Sequence, residues 1–359
     1  MNSSSPSGTT STAVTTGGYP TPSQMAVTYE WTTTATPSTL QKSNLGQVYY
    51  NSGSNAFKVT EQPIPGGSWA SGGSLNTARF YVVGSGNASN AIVAGGGTPT
   101  IVASVEQYDG SAWTETTDLN TARYTGAASN SSPYTDSVVF AGSTATADTG
   151  ITEVWNGFSW TEVSDLNTAR RATGGFGAVS TNALCCGGKT PAPYPGSVNS
   201  AVESWNGSSW TEVAEFSTGR NESPQGAGTN TAGLLYGGQY PPGLNMIANT
   251  ESWDGSSWTE VNDLNTARGY SGAGGSQTSA LMYSGRNGST DLVNTESWNG
   301  TSWAEVADLA QARYSGSGSS STGTNSAIYS GGGNSASPTI YANTEEWTVP
   351  ETNKTITVG

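Results

Sequence analysis

The 359-residue sequence contains no histidine. That absence removes Ser-His-Asp and Cys-His catalysis and every histidine-ligated metal site. Cysteine is almost missing as well. Cys185 and Cys186 are the only two and are adjacent, so in a strand they point to opposite faces. They read as small apolar packing rather than a disulfide, redox pair or metal site. Charged residues make up only 11% of the chain, and lysine occurs only at Lys42, Lys58, Lys189 and Lys354. The net charge of −14 opposes binding to nucleic acid and anionic membranes. No apolar run approaches membrane-spanning length, so no membrane insertion is expected. The opening Met1-Asn-Ser-Ser-Ser-Pro-Ser-Gly8 has neither a basic start nor an apolar stretch, so no secretion signal is expected. No glycine-rich phosphate loop opens a helix, and neither cofactor nor metal is expected.

What the sequence does have is repetition. Leu-Asn-Thr-Ala-Arg or a close variant ends at Arg79, Arg123, Arg170, Arg220, Arg268 and Arg313, with steps of 44 to 50 residues. A second phrase, Glu-x-Trp-Asn/Asp-Gly-Ser-Ser-Trp, recurs in step with it. A fixed period of this length means supersecondary units that stack to share a core. Each unit reads as four short strands: a small-residue strand, an apolar strand such as Ala280-Leu-Met-Tyr283, a Glu-x-Trp strand and a Trp-Thr-Glu-Val strand. Asp109-Gly110, Asn156-Gly157, Asn206-Gly207, Asp254-Gly255 and Asn299-Gly300 separate the last two, and predict tight hairpins with positive φ at both central residues. The last Glu-x-Trp strand, ending at Trp347, has no such turn after it. An unpartnered fourth strand, Gly67-Ser-Trp69-Ala-Ser, stands at the front instead. Pairing the two completes a sixth blade and removes long open edges.

The small doublets Gly95-Gly96, Gly187-Gly188, Gly237-Gly238 and Gly331-Gly332 follow apolar strands, and the first three precede two aromatics five residues apart. This pattern resembles kelch repeats, over about residues 67 to 347. The resemblance implies an all-β, six-bladed propeller closed by an N-terminal outer strand, and leaves the ligand open. Two units depart from the doublet, with Ala141-Gly142 and Ser284-Gly285. The copper site of kelch-like galactose oxidase requires histidines and is excluded. The absence of Gly-His and Trp-Asp phrases separates the chain from WD40 propellers.

Residues 1–66 lack the repeat, and 348–359 read as a C-terminal tail. Within the front segment, Leu45 to Thr60 reads as a hairpin whose apolar residues are Val48, Tyr50, Phe57 and Val59. It resembles short hairpins of bacteriophage fibre and other virion proteins. A lone hairpin is marginal in water, so those four residues are expected to attach the chain to other proteins.

Recurrence separates scaffold from site. The six arginines, and Glu106, Glu153, Glu203, Glu251, Glu296 and Glu345, recur in every unit and are expected to pair structurally. Trp160, Trp210, Trp258 and Trp303 recur too and are expected to pack blades rather than stack sugars. Ser252 to Trp258 resembles the sialidase Asp-box but lacks one residue between Asp and Gly, which speaks for fold rather than activity. The loops that vary most carry Tyr194, Tyr240 and Tyr341, the expected binding residues.

Together these features suggest a non-enzymatic virion protein: a kelch-like propeller on a tail fibre or capsid appendage, recognising or decorating a host surface. Its expected partners are other virion proteins through residues 1–66, further copies of itself, and a host glycan or receptor. The expected location is the virion, assembled in the host cytoplasm. The alternative is a bacterial surface or secreted propeller that binds or cleaves carbohydrate.

Overall fold

The computed structural model describes residues 66–191, 199–240, 245–320, 323–337 and 339–350, and outside these the backbone of six short strands. Residues 65–349 form one compact unit, and residues 1–64 with 350–359 form another.

The larger unit is built on six four-stranded antiparallel sheets, with two short ribbons beside them: Gln239–Tyr240 with Asn245–Met246, and Arg286–Asn287 with Thr290–Asp291. Blade 1 is Val83–Asn87, Asn90–Ala94, Val105–Tyr108 and Trp113–Glu115. Blades 2 to 5 repeat that order, from Ala127–Ala128 to Trp303–Val306. Blade 6 takes Ser317–Ser320, Ser326–Ser330 and Thr344–Thr348 from the end of the repeat and Ser68–Ser71 from its beginning. Trp69 lies opposite Trp347 across this seam, as Trp155 lies opposite Trp160 within blade 2. The six-bladed propeller expected from the repeats is present, with the expected closure. The first strand of each blade packs against the first strands of its neighbours around the axis.

The core is divided among the seams between blades, as alternation along a strand demands. Cys185 packs into the cluster with Phe140 and Trp205, while Cys186 packs into the next one with Phe176 and Trp253. Both thiols are free and fully buried, and burial pushes both of their pKa values up. The leucine that opens each repeat phrase plugs a seam: Leu75, Leu119, Leu166, Leu264 and Leu309 do so, with Phe216 in the sixth place. Each such side chain is worth about 1.5–3 kcal/mol of burial.

The doublets have a backbone explanation. Gly95, Gly187, Gly237 and Gly331 have φ of 61° to 71°, and Ala141 and Ser284 occupy the same left-handed region at 60° and 62°. The second position runs from 95° to 105° and is glycine in all six blades. A small L-residue tolerates the first conformation but not the second. The hairpin turns differ from expectation: only the glycine has positive φ, at 91° to 96°. The preceding Asp or Asn instead accepts two backbone N–H bonds through its side chain, as Asp254 does from Ser256 and Ser257, both at 2.8 Å. This Asx turn closes a four-residue loop, so the first turn residue keeps its ordinary φ.

In the smaller unit, Val48–Asn51 and Ala56–Glu61 pair antiparallel, with Val48 opposite Val59 and Tyr50 opposite Phe57. Thr352–Thr355 adds a third strand to this sheet, whereas the sequence reading has only a tail there. A separate three-stranded sheet comprises Pro6–Thr9, Thr12–Thr15 and Tyr29–Thr32.

Candidate functional site at the propeller axis

The repeated charges are consumed by scaffold. Arg79–Glu106, Arg123–Glu153, Arg170–Glu203, Arg220–Glu251, Arg268–Glu296 and Arg313–Glu345 are ion pairs whose side chains are all at least 94% buried. Each carboxylate also holds the start of the repeat phrase. Glu296 Oε2 accepts the Asn265 backbone N–H at 2.7 Å and its side-chain amide at 2.9 Å, and that amide donates again to Trp303 O at 3.1 Å. The phrase Leu-Asn-Thr-Ala-Arg is therefore a clamp: Leu fills the seam, Asn ties the carboxylate to the outer strand, and Arg neutralises it. Where Asn is replaced by Ser217 or Ala310, the backbone N–H still donates, at 2.8 and 2.7 Å. The tryptophans are also structural. Trp210 Nε1 donates to Thr152 of the neighbouring blade at 2.9 Å, and Trp303 to Thr250 at 3.1 Å. Trp160, Trp210 and Trp303 are buried, so their faces are closed to a sugar.

Two residues beyond each arginine, the backbone turns toward the axis. Tyr81, Thr125, Ala172, Glu222, Tyr270 and Ser315 all have φ between 50° and 57°. Left-handed backbone costs about 1 kcal/mol or more at a non-glycine residue. A closed ring of backbone hydrogen bonds holds it here. Thr125 donates to Tyr81 at 3.3 Å, Ala172 to Thr125 at 2.8 Å and Ser223 to Ala172 at 3.0 Å. Tyr270 donates to Glu222 at 3.1 Å, Ser315 to Tyr270 at 2.8 Å and Tyr81 to Ser315 at 2.7 Å. Blade 4 contributes two left-handed residues, Glu222 and Ser223, accepting through one and donating through the other.

The side chains on this ring break the repeat. Tyr81, Tyr270 and Tyr314 form a triangle with centroids 5.8 to 6.4 Å apart. Tyr124 joins it at 5.7 Å from Tyr81, and Phe80 at 4.6 Å. All five are half-buried. Burial first, then Tyr314 and Glu222, push the Tyr81 phenol up to about 12. Burial and then the Glu222 charge raise Tyr270 as well, while Arg286 acts in the opposite direction on both phenols.

Charge gathers at this face too. Arg171 pairs with Asp148 at 2.5 Å, and Lys189 pairs with Glu222. Arg286 sits over the Tyr314 ring, 5.4 Å from its centroid. Among the described residues of the propeller, every lysine or arginine outside the six scaffold pairs lies here: Arg171, Lys189 and Arg286. Arg286 alone among them has no ion-pair partner.

Below the tyrosines is a cavity of about 60 Å³, room for a handful of waters. Tyr81, Tyr270, Gly84, Asn130, Ser315 and Gly318 contribute to its wall. The hydroxyl of Ser315 is buried there without a partner among the described residues. On the side away from the tyrosines, the loop after the two-residue strand Ala127–Ala128 crosses the axis. Asn130 donates to Gly226 O at 2.9 Å, Ser131 N to Gly177 O at 3.2 Å and Ser131 Oγ to Gly275 O at 3.0 Å. Gly86 N reaches Ser132 O at 3.0 Å, and Ser320 N reaches Asn130 O at 3.3 Å. One loop of blade 2 thus bonds to all five other blades and blocks the channel. The axis is a blind pocket with one open, aromatic end.

Of the residues expected to bind, Tyr194 lies outside the described residues. Tyr240 is 48% exposed, on the two-residue strand Gln239–Tyr240. Tyr341 is half-buried, and its hydroxyl accepts from Asn334 at 3.4 Å. Their loops run beside the post-arginine segments, Asn221 bridging to Gln239 and Tyr314 to Gly333. They therefore flank the axial face, and neither ring joins the tyrosine triangle among the described contacts. The strands bearing Val48, Tyr50, Phe57 and Val59 are described as backbone only. Sequence reasoning missed Tyr81, Tyr270, Tyr314 and Arg286. The available signal was variation right after an invariant arginine: Phe-Tyr, Tyr-Thr, Arg-Ala, Asn-Glu, Gly-Tyr and Tyr-Ser.

No family model and no curated protein matches the sequence. By shape, the solved structure of YjhT superposes with a TM-score of 0.61 over 76% of this chain and 95% of its own, at 12% identity. What is shared is the fold. Matches of this kind extend to 255 solved chains, so the likeness assigns no ligand.

Proposed function

We propose that the chain is a non-enzymatic recognition protein of a bacteriophage virion, a tail-fibre or capsid-appendage component. In this reading the propeller offers its axial face to a host surface, and residues 1–66 attach multiple copies to other virion proteins. One observation carries the recognition role. Side chains shared by all blades are spent on scaffold, whereas side chains that differ between blades converge on one aromatic, partly charged face. A binding role fits this face better than catalysis, because two of its acids are neutralised by cations and the third is held by a backbone N–H through one of its two oxygens. Asp148 and Glu222 hold ion pairs, and Asp291 Oδ2 accepts the Ser335 N–H at 2.7 Å. The virion assignment rests on the likeness of the Leu45–Thr60 hairpin to fibre hairpins and on the polar, charge-poor composition of the chain.

The test is the protein content of purified particles. Mass spectrometry should find the chain at stoichiometric copy number, and removing residues 1–66 should abolish incorporation while leaving a soluble propeller. Absence from particles, with the chain found on a bacterial surface, would favour a carbohydrate-binding surface propeller instead. Glycoside turnover that is lost on changing one acid to its amide would overturn the non-enzymatic assignment.

A further inference from the structure

We infer that the axial face binds an acidic sugar residue, with Arg286 as the anchor for its carboxylate. This rests on the recognition reading above and gives it a ligand chemistry. The argument begins with charge. In a chain of net charge −14, the described cations of the propeller not used as scaffold all sit on this one face. Two of the three are neutralised, Arg171 by Asp148 and Lys189 by Glu222. Arg286 is not. Its cross-strand partner Asp291 accepts the Ser335 N–H through Oδ2, keeps Oδ1 buried without a hydrogen-bond partner among the described residues, and forms no ion pair with the guanidinium. The Nε of Arg286 is buried without a hydrogen-bond partner among the described residues.

A half-buried guanidinium without an ion pair is unusual in an acidic protein, and this one is held in place. Its backbone pairs with Gly269 in both directions, at 2.9 and 3.1 Å, which sets it beside Tyr270. Its plane is supported by the Tyr314 ring. A fixed planar fork of donors suits a carboxylate, which it can engage through two parallel hydrogen bonds. The adjacent surface supplies the remaining recognition elements. Tyr81, Tyr270 and Tyr314 offer aromatic carbon and phenol hydroxyls, and Thr125, Ser223 and Ser315 add hydroxyls or backbone groups on the same ring. Such a surface suits a polyhydroxylated ring with one apolar face. A hexuronate combines that ring with one carboxylate. Of the neighbouring acids, Glu222 and Asp148 are held in ion pairs, and Asp291 is held only by the Ser335 N–H, so its charge is the one left beside the anchor.

The experiment is calorimetric titration of the full chain with galacturonate and glucuronate, against galactose and glucose as uncharged counterparts. At least one uronate should bind about tenfold or more tighter than its neutral sugar, and salt should weaken only the uronate. Arg286→Gln should erase the difference, Arg286→Lys should keep part of it, and Tyr314→Leu should weaken both. Thermal melting of each variant separates loss of binding from loss of fold. Equal affinity for charged and neutral sugars would overturn the anchor role, as would an Arg286→Gln variant that melts normally and still prefers the uronate. No binding of either uronate at millimolar concentration would overturn the acidic-sugar assignment. The particle analysis decides the virion reading separately: uronate binding by a chain absent from virions would sink that reading and leave this site standing.

Discussion

Replacing Arg268 by methionine removes the cation of a pair whose two side chains are 0% and 1% exposed. Methionine refills much of the volume, so the cost reflects electrostatics more than a cavity. Glu296 would keep its bonds from Asn265 N, Asn265 Nδ2 and Thr266 N, at 2.7, 2.9 and 3.1 Å. It would lose its only counter-charge in a seam closed to water. Three carbonyls would also lose their donor: Asn294 O at 2.7 Å, Thr266 O at 3.2 Å and Ser284 O at 3.5 Å. Stranding one partner of a buried pair costs about 3–5 kcal/mol. Urea unfolding followed by tryptophan fluorescence should show the midpoint falling by about 1–2 M. The double variant Arg268→Met with Glu296→Leu strands no charge but leaves backbone N–H groups unsatisfied. It should be destabilised by less than the sum of the two single variants, by about 2 kcal/mol. A single-variant loss below about 1 kcal/mol, or strict additivity, would refute the view that these pairs are scaffold held by mutual burial.

The closure strand can be tested by deletion. Removing residues 1–71 takes away Ser68–Ser71, leaves Thr344–Thr348 as an open edge and uncovers Trp347, so aggregation and a lower melting temperature are expected. Trp69→Ala is the milder form. It loses the bond to Thr295 at 2.9 Å and ring contacts with Tyr283 and Trp347, and should cost about 2–4 kcal/mol. A deletion that melts like the full chain would contradict closure by the front strand. At alkaline pH, the Tyr81 and Tyr108 phenols, raised from 10.0 to about 12, favour the folded state while they stay neutral. That contribution is complete below pH 10 and is lost as pH rises toward 12. Absorbance titration should show two or more tyrosines ionising late, together with falling stability; uniform ionisation near pH 10 would contradict the burial assigned to them.

Much of the scaffold was legible because recurrence is itself physical information. A residue present in all six units at one register serves whatever all six units need, which is a seam, a clamp and a turn. Recurrence alone reached the blade count, the four-strand unit, the Trp69–Trp347 closure and the Arg–Glu pairing. It did not reach the role of Asn265 and its equivalents, which depends on two acceptors from different strands, Glu296 and Trp303. It also assigned the wrong backbone to the Asp-Gly and Asn-Gly turns. The same dipeptide serves a two-residue turn through positive φ or a four-residue loop through an Asx bond, and only the loop geometry chooses between them.

The sequence by itself determined that this chain must close on itself, because six units with apolar faces and an orphan strand at each end have no other economical way to bury both. Only the tertiary structure decided where its individuality lies. Long loops drew attention to Tyr194, Tyr240 and Tyr341 because length variation is easy to see in a repeat. Tyr81, Tyr270 and Tyr314 are single substitutions far apart in sequence, each unremarked within its own unit. Ring closure gathers them, since the residues just after each arginine turn inward and the axis is the one place all six blades share. The same convergence lets the loop through Asn130 reach every other blade and stop the channel. A period along the chain specifies a circle, and what meets at the centre of that circle exists only once it has closed.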